Sequence, residues 1–378
     1  MSKWVLDYSL SLVIRTAAFY LSRDLKNAFS DDWRAVRRWR SHNPRDYSKY
    51  ERKIRAKCML AELSKPSLGK CLGSWNRIAG ASYLHMDPLY CRNDALTSRD
   101  RVLCHDIGPI SHPELYGADC RDVYSSAYRR IQDTRPQMTF VSQASKSAFT
   151  KYFGDDYPSM DVVPLYLRES LLESIPDAKH LSKPPMMAHV GSSFFISIGE
   201  VGTRKGLLQS VQGYARSELH KEGVEYVICG PSGAGYEAVA AIAKKTPGLH
   251  LFGYITDEVM PWLYHNALGF VLLSRLEGFG LPAIEAPFFG LLPLISHDPA
   301  LVEVTGGHAL RCEPSSVDEV AQSLRALASL DPIERNERIK LICEHARSYT
   351  FENFMMGWAK VLGLEAKHFF DHGVYQQN

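Results

Sequence analysis

A chain of 378 residues is longer than one ordinary hydrophobic core supports, which points to two domains. Its 45% hydrophobic composition excludes a disordered chain. Lys and Arg number 44 against 42 Asp and Glu, so overall charge gives no ground for a nucleic-acid partner, and any ligand must be recognised locally.

The first stretch, MSKWVLDYSLSLVIRTAAFYL, is apolar enough to raise a signal peptide or a membrane span. Asp7 and Arg15 interrupt it and no small-residue cleavage site follows, so the expectation is a buried first strand and helix of a cytoplasmic protein. Residues 34–57 then carry ten basic side chains against Asp46 and Glu51, with Trp39, Tyr47 and Tyr50 interleaved. Such a stripe fits either an anionic membrane surface or a solvated helix face, and no nucleic-acid recognition module accompanies it.

Short apolar runs follow, alternating with helix-like segments: 81–86, 100–106, 138–143 and 162–167, then 194–200, 224–230, 249–255, 269–275 and 291–296. This alternation is the pattern of parallel α/β layers. Between the two sets, residues 173–193 are rich in Pro, Ser and Lys and lack periodicity, which suits a linker. The expected domains are 1–175 and 190–349, with a C-terminal helix near 350–370 packing back on the first. The eight cysteines form no C-x-x-C pair, and neither they nor the fourteen histidines show ligand spacing, so no metal site is expected.

The most informative stretch is RLEGFGLPAIEA, residues 275–286. It falls where the strand 269–275 ends; Gly278 and Gly280 permit a tight turn and Pro282 suits a first helical turn. The backbone N–H groups of Gly280 and Leu281, with the helix dipole, suit a diphosphate at the C-terminal edge of a parallel sheet. Glu277 and Glu285 would repel that anion, so paired sugar hydroxyls are their better partners. A plain strand-turn-helix corner, with Glu285 only meeting the helix dipole, stays open.

The pattern E-G-F-G-L-P-x-x-E resembles the two-glutamate signature of the retaining glycosyltransferases of family 4, which have the GT-B fold: α/β, with two Rossmann-like parallel-sheet domains facing a central cleft. ISIGEVGTRKG (196–206), VICG, the LFGYIT turn and DPALVEVTGGHALRCEP (298–314) occur in the family's order, so the resemblance covers about half the chain. It implies that Glu277 lies against the donor sugar, that Glu285 holds the nucleotide ribose, and that Arg204 and Lys205, following Gly199, grip the diphosphate. Phe279, Gly280 and Leu281 would complete the donor turn, and Tyr254 with Ile255 would flank the nucleobase. DRVLCHDIGPISHPELYG (100–117) resembles a subgroup with many mannosyltransferases, which places His105 beside the transferred sugar and makes GDP-mannose the expected donor.

Two departures stand out. Many members have a further arginine where this chain has Glu200, and LDYSLSLVIRTAAFYL lacks the glycines of the usual acceptor loop. The activity implied is retaining, metal-independent hexose transfer from a nucleotide-diphosphate sugar to a glycan or lipid-linked acceptor. No cofactor is implied beyond that co-substrate. A two-carboxylate hydrolase, which needs no Arg-Lys pair, is the competing mechanism; a transferase-like subunit that binds the nucleotide sugar without turnover is the second reading, and sugar-nucleotide epimerisation on the same fold, which the glutamate motif does not support, is the third.

Overall fold

The computed structural model describes residues 3–6, 81–92 and 96–364. Of the N-terminal expectations only the first strand is represented, as β1 (Lys3–Leu6). The helix expected after it, the glycine-poor acceptor loop and the basic stripe 34–57 lie outside the described residues, with Cys58 and Cys71. Among the described residues no helix is long and apolar enough to cross a membrane.

Two sheets carry the fold. The first runs β1, β2 (Ala81–His85), β3 (Arg101–Cys104), β4 (Gln137–Phe140) and β5 (Met160–Val162), each strand beside the next in sequence. The pairs β1–β2 and β2–β3 are parallel. Beside its apolar core residues Leu84, Val102 and Leu103 this sheet buries the charge of Arg101, with that of Asp100 just before β3, and each has several hydrogen-bond partners. Asp100 accepts from the Tyr83 and Thr97 amides at 2.9 and 2.7 Å, while Arg101 donates to Met138 O, Thr139 Oγ1, Gln137 Oε1 and Ser159 Oγ.

The second sheet contains β6 (Ser193–Ile198), β7 (Val224–Cys229), β8 (Leu249–Phe252), β9 (Gly269–Leu272), β10 (Pro293–Ile295) and β11 (Leu310–Arg311). Its spatial order is β8-β7-β6-β9-β10-β11, with every adjacent pair parallel. That is the doubly wound order, in which the chain reverses direction across the sheet between β6 and β9. Both faces are covered, so the strands read as apolar runs rather than alternations: Phe194, Phe195, Ile196, Phe270, Val271, Leu294 and Ile295 are all buried. Helices Leu207–Ser217 and Val317–Ser329 pack closely enough that a Cβ on Gly213 would meet Val320.

The described residues divide into two compact units. One takes in residues up to 104, 118–139 and 155–160; the other takes in 105–117, 140–154 and everything from 161 onward. The whole second sheet belongs to the latter.

One expectation needs correction. The run 162–167 is not a strand: β5 ends at Val162, and Pro164, which has no amide hydrogen to give a ladder, is followed by irregular chain to Arg168. Leu167 N–H donates instead to Tyr349 O at 2.9 Å. The stretch 173–193, read as a linker, contains short helical turns at Ile175–Ala178 and Pro185–Met187, each with a proline at its start. The C-terminal helix is Phe351–Leu362, whose Phe351 and Phe354 pack on Tyr166 at 5.1 and 5.0 Å between ring centres.

Candidate active site

The segments that leave β6 and β9 lie on either side of the reversal point, where an open parallel sheet leaves a crevice beyond its strand ends. After β6 come Gly199 and Glu200, then the turn Thr203–Lys205 that carries both expected cations. After β9 come residues 273–280, then the short helix Leu281–Glu285. The Arg275 amide donates to Arg204 O at 2.8 Å, so the two segments are tied by backbone as well as by charge.

Charge gathers on Glu277. Its Oε1 accepts from Lys205 Nζ at 2.5 Å and from Ser274 Oγ at 2.6 Å, and its Oε2 faces Arg204 Nη1 at 3.4 Å. Only 8% of the Glu277 side chain is exposed. Burial alone would push its carboxyl upward, but Lys205 and Arg204, helped by the hydrogen bonds from Lys205 and Ser274, hold it below the ordinary glutamate value. Arg204 also donates to Leu276 O at 3.1 Å, so the guanidinium fixes the loop as well as its charge. The carboxylate is therefore shared by the two cations and offsets one of their two charges.

Asp298 orders this loop from behind. Its Oδ1 accepts from the Ala300 and Leu301 amides, capping the helix Pro299–Val304, and its Oδ2 accepts from the Glu277 amide at 3.1 Å. Burial, with a smaller contribution from the Glu277 charge, raises its carboxyl to about 6 from an ordinary 3.8. A raised carboxyl favours the protonated fold, so its contribution to stability is complete below pH 3.8 and is lost as pH rises to about 6. Glu277, held low, acts oppositely: its contribution is present above 4.5 and is lost as pH falls through its folded value. Asp298→Asn keeps an oxygen for the cap and removes the titration. Melting curves between about pH 4 and 6 should show the variant gaining on the natural protein by up to about 3 kcal/mol as pH rises, whereas parallel curves would remove Asp298 from the balance.

The glycines of the motif have separate tasks. Gly280 is left-handed at φ 100°, and a Cβ there would strike the Leu301 side chain. Gly278 lies so close to His105 O that a Cβ would overlap it. Ser145 Oγ bridges these two strand-end segments, donating to His105 O at 2.7 Å and to Gly278 O at 3.1 Å, while Ser142 Oγ donates to Gly278 O at 2.7 Å. His105 thus stands one residue beyond β3 and beside the Glu277 loop. Phe279 turns its ring inward, edge-on to Tyr349 at 5.2 Å, leaving its backbone for any ligand.

A cavity of about 330 Å³ opens beside this cluster. Gly199, Gly230, Pro231, Tyr254, Ile255, Leu281 and Glu285 contribute to its wall. Gly199 connects it with the charged cluster, since it lines the cavity and Lys205 Cε stands 3.7 Å from where a Cβ would be. Tyr254 is 41% exposed at the rim, whereas Ile255 is buried. Glu285 is completely buried, and both its oxygens are taken by one guanidinium: Arg168 Nε to Oε1 and Nη2 to Oε2, each at 2.6 Å. The hydrogen bond to Glu285 raises Arg168 above its ordinary value, against the effect of burial. Beside them the Tyr264 hydroxyl is buried without a hydrogen-bond partner; burial, then the Glu285 charge, pushes it well above the ordinary tyrosine value.

Arg204, Lys205 and Glu277 form one cluster; Gly199, Tyr254, Ile255, Leu281 and Glu285 share the cavity; His105, Phe279 and Gly280 shape the loop between. Arg168 was not expected. It follows a run read as a strand, and a single arginine before Glu169 carries no spacing signal. Asp298 was within a quoted motif but had no role assigned; its position immediately before a proline is the helix-cap signal that could have found it.

Residues 187–341 match the family model described as glycosyl transferases group 1. O-antigen chain mannosyltransferase B of Escherichia coli is 26% identical over 224 residues, 57% of this chain and 58% of that protein. The serotype-specific mannosyltransferase WbdA of Escherichia coli is 29% identical over 276 residues, 68% of this chain and 34% of that protein. The chain therefore spans about half or less of these relatives' lengths. Among solved structures, an α,α-trehalose-phosphate synthase (UDP-forming) of Burkholderia xenovorans aligns with TM-score 0.60 at 15% identity, covering 75% of this chain and 72% of that one. That likeness is one of fold, and its fold is GT-B. With the doubly wound second sheet, the two-glutamate turn and these relatives together, the chain has the GT-B fold and resembles group 1 glycosyl transferases over residues 187–341.

Proposed function

We propose that the protein moves a mannosyl residue from GDP-mannose to a glycan or lipid-linked acceptor in polysaccharide assembly, with retention and without a metal. The observation that carries this reading is the position of Gly199, which lines a nucleoside-sized cavity and stands next to Lys205 of the Lys205–Glu277–Arg204 cluster. A nucleoside in the cavity puts its diphosphate over the glycine and its sugar toward Glu277. The mannosyltransferase relatives support the choice of sugar.

In this reading Glu285 accepts from the ribose hydroxyls, with Tyr254 and Ile255 along the base. Arg204 and Lys205 turn from Glu277 toward the diphosphate as charge grows on it, with the amides of Gly280 and Leu281 at the helix start. The bond from the sugar C1 to the phosphate oxygen breaks with its electrons going to the diphosphate. The acceptor oxygen attacks C1 from the same face and passes its proton to the departing phosphate. Glu277 holds the sugar and His105 supports the positive charge on it, so no protein nucleophile is required.

Glu200, in the place of the family's additional arginine, favours the second reading, a subunit that binds a nucleotide sugar without turning it over. Its carboxylate lies over the Gly233 loop, and its charge acts on Arg204. A melting screen of nucleotide sugars separates the possibilities. A true donor at a hundred times its Kd should add about 2.7 kcal/mol of stability, and nucleoside diphosphate should be released with EDTA present. Stabilisation without release favours the subunit, and release that needs added Mg²⁺ or Mn²⁺ ends the metal-independent mechanism. The basic stretch 34–57 supports an acceptor presented at the cytoplasmic membrane surface, with about 1 kcal/mol contributed per cation there.

A further inference from the structure

We infer that Arg168 is the positioning residue of the ribose site, holding the Glu285 carboxylate in the one orientation from which both oxygens can accept ribose hydroxyls; this rests on the donor-site reading above. A completely buried carboxylate needs a cation, but a point charge would meet that need without fixing the plane of the group. The guanidinium fork does fix it. Its Nε and Nη2 each donate at 2.6 Å to a different oxygen, so the carboxylate cannot rotate without breaking both bonds.

Each oxygen has a further lone pair, and both residues belong to the wall of the same cavity. Arg168 remains 40% exposed while its partner is wholly buried, which keeps its remaining N–H groups at the cavity edge. Its backbone is placed by the irregular chain after Pro164, pinned where Leu167 N–H meets Tyr349 O, and by the helix Glu169–Glu173 that begins immediately afterward. The Tyr264 hydroxyl, buried and unpaired beside this pair, offers no competing hydrogen bond to the carboxylate as the protein stands. Orientation of Glu285 therefore comes from Arg168.

The test compares binding of GDP and UDP with their 2′,3′-dideoxy counterparts by calorimetry on the full chain. The natural protein should favour the better ribonucleotide over its dideoxy form by about tenfold or more, the loss expected for hydroxyls bonded to a charged acceptor. Arg168→Lys keeps the charge and removes the fork, and should reduce that preference to about threefold or less while the melting temperature reports the fold separately. If the natural protein binds both forms alike, or binds neither nucleotide, the donor-site reading itself fails. If it discriminates and Arg168→Lys discriminates equally well, the positioning role is overturned. Should Arg168→Lys not fold, Glu285→Gln is compared with the double variant Arg168→Met, Glu285→Gln, which buries no unpaired charge. A residual preference in the single variant that vanishes in the double one supports the role, and equal preference in both overturns it.

Discussion

Replacing Lys205 by alanine is expected to slow sugar transfer by about 10²–10³-fold while lowering stability by only about 1–2 kcal/mol. The asymmetry follows from what remains. Glu277 keeps Ser274 Oγ at 2.6 Å and Arg204 at 3.4 Å, so its buried charge is still faced by a cation and a hydrogen bond. The departing diphosphate loses the ammonium closest to the glycine crossing, and that charge matters most in the transition state. Steady-state kinetics on the folded variant should show kcat falling more than KM rises. A loss of melting temperature matching the loss of activity would instead make Lys205 a structural counter-ion to Glu277.

The second large effect concerns the pair under the ribose site. Arg168→Ala is expected to cost about 3–5 kcal/mol of folding stability, because it leaves a buried carboxylate without its counter-ion. Glu285→Ala should cost far less, about 1–2 kcal/mol, since the orphaned guanidinium is already 40% exposed and can be hydrated. In donor binding the larger loss through contact belongs to Glu285→Ala, at about 1.5–3 kcal/mol, with the fold intact. Urea unfolding of the two variants beside titration with GDP resolves both statements. Equal destabilisation would mean that Glu285 is less isolated from solvent than its burial implies, and undiminished GDP affinity in Glu285→Ala would take the residue out of the ribose site.

The second sheet was legible because strands covered on both faces are written as unbroken apolar runs, and FFISI and GFVL need little context to be placed. The two-glutamate turn was equally legible, since glycines, a proline and acids at fixed spacing impose one local geometry. What could not be read was which partner each charge would choose. RLEGFGLPAIEA places Glu277 and Glu285 a few residues apart, yet one is answered from the turn after β6 and the other from Arg168, 117 positions away. Such pairings are set by the sheet order, and local spacing carries no trace of them. The misread run 162–167 has the same origin: VVPLYL is apolar because its side chains pack, whereas Pro164 and the Leu167 amide bonded to Tyr349 O take it out of any ladder. Asp298 and Ser145 escaped notice as functional because a helix cap and an isolated serine look alike whether or not an active loop leans on them.

Slow hydrolysis of GDP-mannose tests the central claim without knowledge of the acceptor, because water can take the acceptor's place. Followed by proton NMR in EDTA, before the free sugar mutarotates, the reaction should release GDP together with the α anomer of mannose, the configuration of the donor. Release of the β anomer, or an absence of both binding and turnover across a panel of nucleotide sugars in a demonstrably folded protein, would contradict it.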